Sequence, residues 1–441
     1  MREVAKFVHK LGRFLQILLF GVSLGMIFGF GLQGERTAAA QNAGEELSQQ
    51  ESAEEQVNRL SVGEAVGQMF MVSMDGTQPD SYIEKMIKDR NVGGVILFGR
   101  NIESEEQTQN LTSALQDLST HTSASIPLLI ATDQEGGRVT RTPWIVHQPA
   151  AAVVGQSGDP AWAYQIATVV GQRLKEDGIN TNLAPVVDAG FGAAIGDRSF
   201  GVDPQLAARM GSAAIEGYNA AGIVSTAKHF PNHGPADQDS HDASPTIWHD
   251  IYLLQNQDFP PFTAAVGSGV PMVMVGHLLY LAIDPELPAS LSPRAMNLLR
   301  EDLGFKGVII TDDLNMEGAK RGGTVAQAVV QAVEAGADML LITGKPQQEA
   351  DQVQADAYDA VVSAVENGQI PRERIDNSVK RILKMKEQYQ IMNPEKTTPK
   401  TTISSTPFTG GLALLPLGGV AVMLLSLSAG LTYYLRCIGG G

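Results

Sequence analysis

Between Ser225 and Pro245 the chain reads STAKHFPNHGPADQDSHDASP. Three of its eight histidines fall there, His229, His233 and His241, together with Lys228, Asp237, Asp239 and Asp242. Proline and glycine keep the segment from becoming regular helix or strand, so these groups sit on a loop that follows an apolar run. Asp239-Ser240-His241 places a carboxylate two residues from an imidazole. Hydrogen-bonded to the ring, the aspartate would orient it and raise the proton affinity of its far nitrogen, which suits a general acid and base near neutral pH. An ordinary surface His–Asp pair is the plainer alternative. His229, His233, His241 and Asp239 are also zinc-ligand types, but their spacing is irregular and the adjacent Lys228 repels a cation. The expectation is therefore no metal and no cofactor.

A second candidate is IITDDLNMEGA, Ile309 to Ala319. A carboxylate emerging from a buried strand has an inflexible backbone beneath it, which is what a nucleophile needs to meet one carbon at one angle. Asp312, nearer the strand end, is the better candidate; Asp313 reads equally well as a helix cap or an ion-pair partner. Asp133, Arg141, Arg198 and Lys228 add one acceptor and three donors, a set that suits a ligand rich in hydroxyl groups. Each could instead serve a structural ion pair.

These groups need a frame that brings them to one place. Eight short apolar runs recur, at 67–74, 93–98, 126–132, 179–185, 223–228, 271–277, 307–312 and 338–343. Segments with helical patterning lie between most of them, such as 161–178, 324–336 and 358–368. Continuous apolar strands alternating with helices imply a parallel sheet covered by helices. Eight of them predict an α/β fold with a (β/α)8 TIM-type barrel as a single catalytic domain over residues 60–392; an open doubly wound sheet is the alternative. In a barrel the loops after the strand ends share one face, and every cluster named above falls on such a loop. No glycine-rich nucleotide-binding pattern follows the first strands.

Composition narrows the partners. A formal net charge of -16 argues against nucleic acid, which requires a basic footprint. The single cysteine, Cys437, leaves no disulfide framework. Residues 1–40 begin with Arg2, Lys6, Lys10 and Arg13, continue through an apolar run at 14–32 and reach Ala38-Ala39-Ala40, the pattern of a signal peptide or uncleaved signal anchor. A polar linker is expected at 41–59, a Thr/Ser/Pro-rich stalk at 393–410, a transmembrane helix at 411–435 and a short tail at 436–441. Arg436 has the sign expected on the cytoplasmic side. The folded part is thus expected outside the cytoplasm, tethered to the cell membrane or envelope.

The chain resembles bacterial β-N-acetylglucosaminidases of glycoside hydrolase family 3. The likeness lies in ATDQEGGRVTR (131–141), LAPVVD (183–188), IGDRSFG (195–201), KHFPNHG (228–234), DSH (239–241) and LLREDLGFKGVIITDDLNM (298–316). It implies Asp312 as nucleophile, His241 as acid/base held by Asp239, and sugar contacts from Asp133, Arg141, Arg198, Lys228 and His229. It implies a retaining exo-hydrolysis of terminal β-linked N-acetylglucosamine from cell-wall glycans through a glycosyl-aspartate. A phosphorylase is an alternative, because an imidazole base does not repel an incoming anion. A β-glucosidase is another, although such relatives usually lack the Asp-Ser-His loop. A glycan-binding protein without catalysis is the non-enzymatic alternative. Asn232 departs from the resemblance, which has glycine there, and is expected to stiffen or shift the loop.

Overall fold

The computed structural model describes residues 53–145, 148–240, 243–344 and 349–392. The expected signal or anchor, stalk and transmembrane segment lie outside the described residues. Among the described residues no helix is long and apolar enough to cross a membrane.

All eight expected strands form: β1 (Phe70–Ser73), β2 (Gly94–Leu97), β3 (Leu129–Thr132), β4 (Thr181–Asn182), β5 (Val224–Phe230), β7 (Met272–Val275), β9 (Val308–Thr311) and β10 (Leu340–Ile342). They pair in parallel in the order β10-β1-β2-β3-β4-β5-β7-β9. A bridge between Ile310 and Met339 brings β9 back beside β10, so the sheet is a nearly closed barrel rather than an open one. Their residues are buried throughout, which is why each read as an unbroken apolar run rather than an alternation. A separate pair, β6 (Thr246–Ile247) and β8 (Leu279–Tyr280), lies beyond the strand ends of β5 and β7.

The surrounding helices begin and end where local chemistry dictates. Ser61 and Glu64 form a reciprocal capping box ahead of Val62–Gln68. Asp159 and Asp203 cap Pro160–Glu176 and Pro204–Ala221, each with proline at the first turn, where its missing N–H costs nothing. Part of the stretch expected as linker is also structured: Ala53–Arg59 is a helix that buries Ala53 and Val57, one turn apart. Its Glu54 pairs with Lys380 of the helix Arg372–Gln388 at 3.1 Å. Reading 41–59 as polar overlooked that two small apolar residues at this spacing suffice to seat a short helix.

Candidate active site

The strand ends open into a cavity of about 280 Å³. It is lined by Asp133 and Glu135 after β3, Lys228 and His229 within β5, and Asp312 after β9. Arg141 and Asp239 reach it from loops, and Arg198 from the short 3-10 turn Gly196–Arg198. The structure therefore brings together every expected site residue except His241, which lies outside the described residues.

Asp312 is fixed by its neighbours' backbone. Its N–H donates to the Val275 carbonyl at 3.0 Å, extending the β7–β9 ladder past the strand. Its Oδ1 accepts the Asp313 N–H at 2.8 Å. Burial on its own would raise the carboxyl's pKa. The neighbouring His229 and His277 rings, the Asp313 amide and Lys228 together outweigh that and hold Asp312 well below the usual carboxylate range. Asp313 differs. Burial and the Asp312 charge push it up to about 6, against hydrogen bonds from Thr343 and Asn315. Its Oδ1 accepts the Asn315 and Thr343 N–H groups at 3.0 and 2.9 Å, and the Thr343 hydroxyl donates to Oδ2. Asp313 is a brace between the strand ends, not a helix cap, and no ion pair joins it among the described residues. Behind it, the buried His277 bonds the Asp313 carbonyl through Nε2 and Ser290 through Nδ1, at 2.9 and 2.7 Å.

The opposite wall is an ion network. Lys228 Nζ donates to Asp133 Oδ1 and contacts Glu135 Oε1, both at 2.7 Å. Arg198 grips Glu135 with two parallel bonds of 2.7 and 2.8 Å. Glu135 and Lys228 are nearly enclosed, with side chains 5% and 3% exposed. Burial opposes the charged form of each. Lys228 and Arg198 nevertheless lower Glu135 to about 2, while Asp133 and Glu135 raise Lys228 above its ordinary value. The two expectations for Arg198 thus coincide: it is ion-paired and it lines the cavity. Arg141 donates its backbone N–H to Gln134, while its buried Nε has no hydrogen-bond partner among the described residues.

Sequence reading missed two acids. Glu135 lies two residues beyond Asp133, the spacing at which extended backbone returns to the same side. Asp188 ends the LAPVVD run and is fully buried. It accepts His229 Nδ1 at 2.7 Å, the His229 N–H at 3.1 Å and the His233 N–H at 2.6 Å. It thereby fixes the His229 ring and the start of the loop.

The loop itself rests on tight backbone contacts. His233 Nε2 meets Ser240 Oγ at 3.0 Å, and Gly318 donates its N–H to the Ser240 carbonyl at 3.2 Å. A Cβ on Gly318 would stand 2.8 Å from that oxygen and 2.9 Å from the Ala243 carbonyl, so the loop is seated on a glycine. Gly234 is required in the same way, since its Cβ would fall 2.1 Å from the Ala189 carbonyl. Among the described residues no group of three histidines, cysteines or acids is placed to hold a metal ion.

A parallel barrel whose strand-end acids and bases converge on one small cavity defines an enzyme of the α/β-barrel class. Residues 61–385 match the Glycosyl hydrolase family 3 N terminal domain, and the chain belongs to that family, among its β-N-acetylhexosaminidases. It is 33% identical over 346 residues to the β-hexosaminidase A of Pseudoalteromonas piscicida, covering 73% of this chain but 58% of that protein. It is 32% identical to the β-hexosaminidase of Nitrosomonas eutropha, covering 76% of this chain and 97% of the relative. A family 3 β-N-acetylglucosaminidase structure from a Paenibacillus species matches with a TM-score of 0.73 and 37% identity, over 81% of this chain and 65% of that one. The β-N-acetylhexosaminidase structure from Beutenbergia cavernae matches with a TM-score of 0.68 and 30% identity, over 74% and 99% respectively. The chain thus spans less than two thirds of some relatives and nearly all of others.

Proposed function

We propose that the chain is a retaining exo-β-N-acetylhexosaminidase that removes terminal β-linked N-acetylglucosamine. The observation that carries this reading is the pairing of a strand-end carboxylate held anionic, Asp312, with a facing wall of matched donors and acceptors around a cavity of about 280 Å³. That volume is small for a ligand site and suits one pyranose rather than a chain. Asp133, Arg141, Arg198, Lys228 and His229 bind the sugar hydroxyls. The relatives' names support the N-acetylated sugar.

Asp312 Oδ2 attacks the anomeric carbon, Oδ1 being engaged by the Asp313 amide. The bond to the aglycone oxygen breaks, its electron pair leaves with the oxygen, and His241 supplies the proton. Water then attacks the anomeric carbon of the glycosyl ester, gives its proton to His241 and frees Asp312. Asp239 orients His241. The basic and apolar first 40 residues and the apolar stretch at 411–435 support an extracytoplasmic, tethered location, and hence a wall glycan of the peptidoglycan type as substrate.

The test is turnover of aryl β-N-acetylglucosaminide and aryl β-glucoside by the full chain, with and without phosphate. Release of free N-acetylglucosamine with retained configuration, and a covalent adduct on Asp312 with a slow fluorinated donor, is the expected result. A sugar phosphate as product would make the enzyme a phosphorylase. No N-acetylglucosamine release under either condition rejects the reading.

A further inference from the structure

The loop that presents Asp239 and Ser240 leaves β5 just before Asn232 and runs into β6 (Thr246–Ile247), with His249 two residues beyond it. Both ends are tied to one carboxylate that does not line the cavity. Asp258 closes a π-helical turn, Leu254–Asp258, and none of its surface is exposed. One of its oxygens accepts Asn232 Nδ2 and the other meets His249 Nδ1, each at 2.8 Å.

Asn232 is suited to this place by its chemistry. A primary amide offers two donors and two acceptor positions, and all four are used. Oδ1 accepts the Ala189 and Gly234 N–H groups at 3.0 and 2.9 Å. Nδ2 donates to the Ala189 carbonyl at 3.1 Å and to Asp258. The Tyr280 hydroxyl bonds the Asn232 carbonyl at 2.5 Å. A glycine here would supply none of the side-chain bonds. A buried carboxylate is costly to keep unless it organises its surroundings, and Asp258 engages the two ends of this loop together with the Tyr280 hydroxyl of β8.

We propose that Asp258 is a positioning residue for the acid/base loop, stapling its start through Asn232 and its end through His249. This rests on the acid/base reading of Asp239 and His241 given above. The staple acts on where the proton donor stands and leaves the sugar-binding wall alone. Its signature is therefore sensitivity to the leaving group. A dinitrophenyl glycoside departs without a proton, whereas a methyl glycoside needs one.

The experiment compares kcat/KM on dinitrophenyl and methyl β-N-acetylglucosaminide for Asn232→Ala, His249→Ala, Asp258→Asn and Asp239→Asn, each checked for folding by thermal unfolding. His249 is only partly buried, so its variant probes the staple without excavating the core. Asn232→Ala and His249→Ala are expected to lose about 10-fold on the methyl glycoside and under about twofold on the dinitrophenyl one. Asp258→Asn is expected to stay within about threefold of wild type on both, because an amide can accept from Asn232 and donate to the other tautomer of His249. Equal losses on both substrates, or none on either, in folded Asn232→Ala and His249→Ala would overturn the staple while a leaving-group-dependent Asp239→Asn leaves the acid/base reading intact. A leaving-group-independent Asp239→Asn would remove that reading and this inference together.

Discussion

The two sides of the cavity are built by different means. Asp133, Glu135, Lys228, His229 and Asp312 sit on or just past barrel strands, and parallel ladders fix their backbones. Asp239 and Ser240 sit on a long loop, held by single side-chain bonds, by a glycine seat at Gly318 and by the Asp258 staple. The difference matches the proposed chemistry, with Asp312 as nucleophile and the loop carrying the proton donor. A nucleophile and a sugar-binding wall must be rigid before the substrate arrives, and buried charges keep their geometry only where the frame does not yield. A proton donor must meet a leaving oxygen whose position depends on the aglycone, so its support rests on replaceable local contacts. Substitutions on the strand side should therefore abolish function or stability outright, and those on the loop side should tune it.

The largest effect belongs to Asp312. Asp312→Asn is expected to reduce turnover of an aryl β-N-acetylglucosaminide by about 10⁴-fold or more while leaving a folded barrel. An Asp312→Asn variant with near-normal turnover would break the comparison at its firmest point.

Glu135 comes next. Glu135→Gln leaves Lys228 and Arg198 facing each other without their shared anion. The folded pKa of Glu135, about 2, lies below its ordinary 4.5. Its contribution is thus complete above about pH 4.5 and is lost as the pH falls toward 2. A difference of that size corresponds to about 3 kcal/mol. Denaturant unfolding should show that gap between wild type and variant at pH 6, and a shrinking gap below pH 4. A gap independent of pH would mean that the variant acts by packing rather than by charge.

On the loop side, Gly318→Ala drives a methyl group against the Ser240 and Ala243 carbonyls. Overpacking of this kind costs about 1–3 kcal/mol. Part should appear as loop displacement, so kcat on poor leaving groups should fall while KM holds. A rise in KM with kcat intact would show that the seat serves the sugar wall. The smallest effect is expected from Ser240→Ala, which removes one neutral bond to His233. A loss of about 1 kcal/mol by thermal unfolding is the expected outcome, with turnover changed by less than in Gly318→Ala.

Much of this was legible beforehand, and particular residues show why. The eight strands read correctly because burial on both faces leaves nothing but apolar residues. Asp312 and Lys228 were legible because each ends or nearly ends such a run. Glu135 was not singled out because it stands in DQEGG beside Asp133, and only the fold shows that Lys228 and Arg198 converge on it. Asp188 was passed over because a lone acid after an apolar run reads as a surface residue until His229 and His233 are seen to bond it. Asn232 was noticed as a departure, but its partner Asp258 lies 26 positions away on another element.

By itself the sequence determined the barrel, the face of it on which the charged groups gather, and which acid stands at the end of the seventh barrel strand, because strand periodicity and local residue type are properties of contiguous sequence. The tertiary structure alone decided which charges neutralise one another and what holds the loop. Those outcomes depend on distances between residues far apart in the chain, and on a burial that makes an unpaired charge costly and a paired one precise.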